Sequence, residues 1–287
     1  MRLRFVCSLA AASFAAVTLA AAPGAAQHSY LVTVIADKGA PVTALTAEDF
    51  VVREGSKNLN VLAAEHSPFP LVVSLIVDTT KPEVIQSPAR DLRRALAGFV
   101  ARVREAGPAR IELVEVSGGA VTTAEYDAPP EALDAVIAKL FPAHPGDAVI
   151  LEAIRLAAQG MTSVQTPRRA IVSIDFDSSE SVSEPSVRRV MNDLAQSGAT
   201  VWAVSLRLPR GGDSRREGPL NSMTRATGGM RLVAGAPSGL DALLARVADS
   251  LASQYIVTFE RDANTPPGEI QMTTKDGLAV HVSPMRR

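Results

Sequence analysis

The feature that most constrains the fold is an apolar run that ends at an acidic residue, LVVSLIVDTTKP, at residues 71–82. Six of the seven residues from Leu71 to Val77 are apolar, and three of them are valines. Such a run predicts a strand that is covered on both faces inside a parallel sheet. Asp78 then lies at the carboxyl end of the strand, where open α/β sheets bind ligands because loops and helix N-termini converge there.

Beyond this strand, strand patterns alternate with helical patterns, which indicates a doubly wound α/β layer. The predicted strands cover residues 71–78, 110–116, 120–124, 170–175, 200–205 and 230–233. The predicted helices cover residues 87–104, 130–140, 147–159, 184–196, 219–226 and 238–252. Gly118 and Gly119 favour a tight hairpin, so the strand that follows them is predicted to be antiparallel. The fold class is therefore α/β, Rossmann-like, with a mostly parallel six-stranded sheet and one antiparallel edge strand.

Both ends of the mature chain carry strand patterns without helices. Residues 27–67 contain valine-rich runs around a turn at Gly55 and Ser56, and residues 253–287 contain three more strand-like runs. Short strands of this kind are unstable alone. We therefore predict that the two segments pair into a small β sandwich beside a central domain at residues 68–252.

The first 26 residues predict a secretory signal peptide, because Arg2 and Arg4 precede an apolar, alanine-rich run and small residues surround Ala26. Cleavage near Ala26 gives a secreted or periplasmic protein that is not held at a membrane. A retained membrane anchor is the alternative, since the apolar run is long. Cys7 is the only cysteine of the chain, so the mature protein is expected to have no disulfide.

The charge balance gives no reason to expect a nucleic acid or an anionic membrane as partner. The formal charge is −1 for the full chain, and it becomes −3 when Arg2 and Arg4 are removed with the leader. Several arginines lie in the predicted helix at residues 87–104. A solvated helix face is the favoured interpretation of these arginines, rather than a phosphate-binding patch.

The order of these elements, the strand ending IVDTT and the later strand ending IVSIDFDSSES resemble the von Willebrand factor type A (VWA) domain. The flanking sequences TVIADKGAPVTALTAEDFVVREGSKNLNVLAAE and SLASQYIVTFE resemble the exported bacterial VWFA-related family. The resemblance covers residues 30–282. It implies a protein-binding or adhesion module with a protein ligand of unknown identity, and no enzyme activity.

The resemblance also implies a metal-ion-dependent adhesion site, in which hydroxyls and carboxylates surround a divalent cation. The matching positions are Asp78, Thr80, Asp147 and Asp175, on three loops at one edge of the sheet. The pattern is degenerate. Pro82 has no hydroxyl, an aspartate stands at position 147 where the family has a threonine, and Phe176 replaces a glycine.

Two interpretations of this edge are open. In one, the three aspartates bind Mg²⁺ or Ca²⁺. In the other, which we favour, Lys81 or a nest of backbone N–H groups neutralises the carboxylates, and the domain binds a protein partner without a cofactor. The partner-binding edge then consists of Thr79, Lys81, Gly146, Phe176, Asp177 and Ser178. Phe176 is expected to expose its ring to the partner.

A haloacid dehalogenase-like phosphotransferase is the remote alternative, because Asp175-Phe176-Asp177 resembles the first motif of that family and Ser205 ends the next predicted strand. Those enzymes also need a downstream lysine, and Lys275 in the terminal β region is the one available. The sequence contains no Gly-x-Ser-x-Gly motif of a hydrolase, and no two histidines have the spacing of zinc ligands. The basic segment LPRGGDSRREG at residues 208–218 is either a recognition loop or a flexible connector.

Overall fold

The computed structural model describes residues 25–36, 39–80, 88–176, 180, 182–207, 214–264 and 268–284. The strands are β1 (Ala25–Ile35), β2 (Phe50–Glu54), β3 (Lys57–Leu59), β4 (Val61–His66), β5 (Leu71–Asp78), β6 (Ala109–Val116), β7 (Ala120–Ala124), β8 (Arg169–Asp175), β9 (Thr200–Leu206), β10 (Arg231–Ala234), β11 (Tyr255–Asp262), β12 (Ile270–Thr274) and β13 (Ala279–Pro284). The α-helices are α1 (Ala89–Glu105), α2 (Pro130–Lys139), α3 (Ile150–Met161), α4 (Glu184–Ser197), α5 (Glu217–Thr227) and α6 (Leu240–Ala252). Short 3₁₀ turns occupy Ala47–Asp49, Ser214–Arg216 and Pro237–Gly239.

The central sheet has six strands in the order β10-β9-β8-β5-β6-β7. Every neighbouring pair is parallel except β6 and β7, which are antiparallel. The predicted fold class, including the antiparallel edge strand, is therefore confirmed. Helix starts were predicted less well than strands, since α3 begins at Ile150 rather than at residue 147 and α5 begins at Glu217 rather than at residue 219.

Strand β5 lies at the centre of the sheet, and all of its residues are buried. Side chains of a strand alternate between the two faces. Leu75 and Val77 accordingly pack in the core beneath α1, α2 and α6, whereas Val72 and Ile76 pack in the core beneath α3, α4 and α5. Two covered faces explain why the sequence of β5 is an unbroken apolar run rather than an alternating pattern.

The chain ends form a β sandwich, as predicted. One sheet has the order β13-β1-β11-β4, and the other has the order β12-β2-β3. Aromatic and aliphatic side chains from both sheets share one core, to which Phe50 and Met272 contribute from one side and Tyr255 and Phe259 from the other. Because β1 pairs with both β11 and β13, the N-terminal and C-terminal segments depend on each other.

The first described strand overlaps the end of the predicted leader. Ala25 and Ala26 already pair with Asp262 and Arg261 of β11, and residues 1–24 lie outside the described residues. Within the part of the chain that the structure describes, no helix has the length and apolar character needed to cross a membrane.

Two glycines allow the turn between α5 and β10 to lie directly against other backbone. A Cβ atom on Gly229 would stand 1.9 Å from the carbonyl oxygen of Val201 in β9. Gly228 has φ +77°, and a Cβ there would stand 2.4 Å from the carbonyl oxygen of Val282 in β13. His281 of β13 also donates from Nδ1 to the Gly229 carbonyl over 3.1 Å. The sandwich therefore joins the α/β layer through backbone contacts that leave no room for a side chain.

Candidate functional site

At the carboxyl end of β5, the side chain of Asp78 accepts hydrogen bonds from the residues that follow the strand and from the end of β8. Its Oδ1 accepts the backbone N–H of Thr80 at 2.9 Å and also the Thr80 hydroxyl. Its Oδ2 accepts the backbone N–H of Phe176 at 3.2 Å. The backbone N–H and hydroxyl of Thr79 both bind the carbonyl of Val116 on β6. Asp78, Thr79 and Thr80 are all fully buried, so their polar atoms bind neighbouring strands and loops rather than solvent.

Asp175 lies at the carboxyl end of the adjacent strand β8 and is also fully buried. Its Oδ1 accepts the hydroxyl of Ser205 at 2.6 Å, and its Oδ2 accepts Nη2 of Arg207 at 2.9 Å. Ser205 and Arg207 come from β9 and the residue that follows it, so the next strand holds both oxygens of this carboxylate. Burial raises the pKa of Asp175, while Arg216, Arg207 and Ser205 act in the opposite direction.

Phe176 links the two aspartates to two arginines through its backbone. Its N–H binds Asp78, and its carbonyl accepts Nη1 of Arg207 at 2.6 Å and Nη2 of Arg216 at 3.0 Å. The ring of Phe176 is fully buried and packs in the core beneath α1, α2 and α6. The prediction that this ring is exposed to a partner is therefore wrong, because Phe176 continues the alternation of β8 and its ring shares a core with Val172 and Ile174.

Among the described residues, Arg216 is the largest fully buried charged side chain, with 0% of its side chain exposed. It lies within the basic segment at residues 208–218, and its Nε lies 3.4 Å from Oε2 of Glu180. The other oxygen of Glu180 accepts the N–H of Leu151 in the first turn of α3 at 2.9 Å. Glu180 thus caps a helix that has no side-chain cap of its own and anchors the guanidinium at the same time.

The described residues at this edge form a buried charge cluster of three carboxyl groups and two guanidinium groups. Its members are Asp78, Asp175, Glu180, Arg207 and Arg216. Burial raises the pKa of Glu180 to about 7, with smaller upward contributions from Asp175 and Asp78. Glu180 therefore keeps a proton in mildly acidic solution.

We expect the free energy of unfolding to fall as the pH rises from about 4.5 to about 7, because unfolded Glu180 releases its proton near pH 4.5 whereas folded Glu180 holds it to about pH 7. This fall is at most about 3.5 kcal/mol, because the pKa of Glu180 differs by about 2.5 between the two states and one pKa unit corresponds to about 1.4 kcal/mol. Glu180→Gln, which mimics the protonated form, should lose this pH dependence. Urea unfolding of both proteins between pH 4.5 and 7.5 checks the difference. Parallel pH profiles would contradict it.

The loop between α2 and α3 lies over the end of β5 and is an exposed part of this edge. His144 forms a parallel bridge to Thr80 through its backbone, and the carbonyl of Asp147 accepts the N–H of Gly118 in the β6–β7 turn over 3.0 Å. His144, Gly146 and Asp147 are exposed, and 55% of Phe141 is exposed. The structure therefore places Asp147 at the surface, in contrast to the enclosed Asp78 and Asp175.

Three predicted residues of the edge, Lys81, Asp177 and Ser178, lie outside the described residues. Within the described ranges, no group of three or more His, Cys, Asp or Glu side chains is arranged to hold a metal ion. The Thr80 hydroxyl donates to Asp78, and both oxygens of Asp175 accept protein donors. These contacts do not fit the family's metal site, in which hydroxyl and carboxylate oxygens face a cation.

Sequence reasoning missed Arg207, Arg216 and Glu180. Arg216 lies in a polar segment whose composition indicates a loop, and nothing local distinguishes it from Arg215, which is exposed. One sequence signal could have identified Arg207. An arginine that directly follows one parallel strand lies close to an aspartate that ends the neighbouring strand. Arg207 follows β9 in this way, and parallel strand ends meet at one edge of the sheet.

Comparisons with solved structures give the same architecture. The chain is similar to von Willebrand factor type A from Catenulispora acidiphila, with a TM-score of 0.50 and 11% identity over 90% of this chain and 73% of that chain. It is also similar to proximal thread matrix protein 1 from the mussel byssus, with a TM-score of 0.51 and 11% identity over 67% of this chain and 48% of that chain. No protein-family model matches the sequence, and a comparison with curated proteins gave no match.

These similarities establish the fold. At 11% identity they give no information about function. The chain has a VWA-like α/β fold, and its buried charge cluster occupies the sheet edge at which the resemblance places the adhesion site.

Proposed function

We propose that this chain is an exported, non-enzymatic protein-binding module of VWA type whose working edge functions without a metal ion. The observation that carries this proposal is the position of Arg216. A fully buried guanidinium stands among the carboxyl groups at the end of the sheet, where the related site would hold a divalent cation. A fixed positive charge at this position supplies the neutralisation for which other members of the family use an ion.

The cation-dependent alternative uses Asp78, Asp147 and Asp175 to bind Mg²⁺ or Ca²⁺. It requires carboxylate oxygens that face a common cation. Asp175 instead binds Ser205 and Arg207, and Asp147 is exposed on the neighbouring loop. In the metal-free interpretation, arginine and serine side chains of the chain itself neutralise and bind the buried carboxylates. No cation is needed, so we favour this interpretation.

The phosphotransferase alternative requires Asp175 to attack a phosphorus atom as a nucleophile. A nucleophile must reach its substrate, but Asp175 is fully buried and both of its oxygens accept hydrogen bonds at 2.6 and 2.9 Å. We therefore propose that Asp175 is a structural carboxylate of the edge and takes no part in a chemical reaction.

The partner surface that we propose is the exposed loop above the cluster, at Phe141, Gly146 and Asp147, together with the β6–β7 turn at Gly118. Phe141 supplies an exposed aromatic ring, the kind of residue that anchors protein interfaces. The charge cluster beneath holds this loop through β5, since the backbone N–H of His144 binds the carbonyl of Thr79. In this proposal the buried charge cluster positions the loop, and the loop contacts the protein partner.

Photo-crosslinking in the native cell tests this surface. We expect benzoylphenylalanine at position 141 to give a discrete crosslinked species in EDTA as well as in Mg²⁺. The same probe at the exposed Glu105, at the opposite end of the sheet, should not give it. Asp147→Arg should weaken the crosslink in a protein that still unfolds cooperatively on heating. No discrete species from position 141 would overturn the proposed surface, and loss of the species in EDTA would favour the cation-dependent alternative.

Export is tested separately by N-terminal sequencing of the protein recovered outside the cytoplasm. We expect the recovered protein to begin near Gln27. Most of β1, from Gln27 onward, then remains to pair with β11 and β13. An exported-fraction protein that still carries residues 1–26 would favour the retained anchor instead.

A further inference from the structure

The junction between the β sandwich and the α/β layer contains a second feature, an open cavity of about 580 Å³. Residues from α5, the α5–β10 turn, the start of β10, β12 and β13 line it. Its volume lies within the range of about 300–1,000 Å³ that is typical of sites for small molecules, and such sites concentrate at junctions between domains. The glycine contacts of the α5–β10 turn hold the two walls of this cavity together.

The charged groups that line the cavity are cationic. Arg225 and Arg231 both line it, and no carboxylate does so among the residues that the structure describes. Arg225 is exposed, whereas only 6% of the Arg231 side chain is exposed. Burial lowers the pKa of His281, another lining residue, so this imidazole is neutral near pH 7. The walls therefore favour a negatively charged occupant over a positively charged one.

Arg231 has an unused hydrogen-bond donor. Its Nε donates to the hydroxyl of Ser205 at 3.1 Å, and its Nη1 binds Glu217 at 2.8 Å. Its Nη2 is buried and has no hydrogen-bond partner within the described part of the chain. A buried donor without an acceptor is costly, and the cost is larger for a charged group. A ligand oxygen would remove that cost if the Arg231 side chain shifted toward the cavity, because Nη2 is closed to solvent as the side chain stands.

The remaining lining residues indicate what the uncharged part of a ligand should look like. Met230, Met272, Val280 and Val282 provide an apolar wall, and Asn221 and Gln271 provide amide groups. Methionine side chains adapt to ligands of irregular shape. We propose that the junction cavity binds a small organic anion whose carboxylate meets Arg231 and Arg225 and whose apolar body lies against the methionines and valines.

This site is distinct from the partner surface at the carboxyl edge, and the two proposals fail separately. The carboxylate could belong to a free organic acid or to the C-terminus of a peptide. Octanoate paired with octanamide, and acetyl-Leu-Val paired with its C-terminal amide, distinguish these sources. In each pair the neutral amide keeps the apolar body and removes the charge.

Titration calorimetry and the methyl resonances of methionine report on the site. We expect octanoate or acetyl-Leu-Val to bind saturably and to shift the Met230 and Met272 methyl signals. Met161, fully buried in another core, should not respond. Arg225→Ala should weaken binding about fivefold, the effect of one exposed ion pair. Arg90→Ala, which removes an exposed arginine elsewhere, should change nothing.

Binding of the free acid without the peptide assigns the site to small acids, and the reverse result assigns it to peptide termini. Equal binding of acid and amide would overturn the proposal, because charge would then play no part. Absence of saturable binding by either acid would overturn it too, since the enclosed Arg231 donor would then be satisfied by water or remain unsatisfied.

Discussion

Replacing Arg216 by methionine is expected to lower the free energy of unfolding by about 3–5 kcal/mol at pH 7.5, the usual cost of removing one member of a buried ion pair. Methionine keeps much of the side-chain length but cannot balance Asp175 and Glu180, which both sense the charge of Arg216. The loss should be smaller at pH 5, where the raised pKa of Glu180 lets that carboxyl group take up a proton. Urea unfolding at both pH values measures the difference.

The control for this change is the neighbouring residue. Arg215→Met removes an exposed arginine from the same short turn and should change the free energy of unfolding by less than about 1 kcal/mol, the range of exposed ion pairs. The double variant Arg216→Met with Glu180→Gln should recover part of the lost stability at pH 7.5, because it removes one uncompensated carboxylate. Equal effects of Arg216→Met and Arg215→Met would contradict the buried charge cluster.

Replacing Gly229 by alanine is expected to lower the free energy of unfolding by about 3 kcal/mol or more, because the added Cβ would stand 1.9 Å from the carbonyl oxygen of Val201. The clash is with backbone of strand β9, which cannot move without disturbing β8 and β10.

Gly160→Ala is the matched control for this prediction. Gly160 lies within α3, and a Cβ there meets no atom within 4 Å. Alanine at an unhindered helix position stabilises a protein by about 0.5–1 kcal/mol. The two substitutions are chemically identical, so chemical denaturation should show opposite signs. A mild effect of Gly229→Ala would contradict the close approach of the α5–β10 turn to β9.

Much of the architecture was predictable because hydrophobic patterns reflect burial directly. The run of β5 is apolar at almost every position since both faces of the strand are covered, and the glycine pair at Gly118 and Gly119 indicates the hairpin to β7. The pairing of the two chain ends followed from their need for a shared core.

The chemistry of the edge was less predictable because it depends on which loops converge. Arg216 belongs to a basic, glycine-containing segment that has the composition of an exposed loop, yet its side chain is fully buried between β8 and Glu180. Its burial depends on carboxyl groups that come from distant parts of the chain. The orientation of Phe176 was equally hard to predict. The sequence places this residue directly after a strand, but it does not show whether the ring points into the core.

The most direct test of the central claim is calorimetric titration of the mature protein with Mg²⁺, Mn²⁺ and Ca²⁺, repeated on Asp78→Ala. If the guanidinium of Arg216 takes the place of the cation, none of the three ions should bind saturably at the edge of the sheet, and partner binding should be equal in EDTA and in Mg²⁺. Micromolar binding of one ion per chain that is abolished by Asp78→Ala would contradict the account.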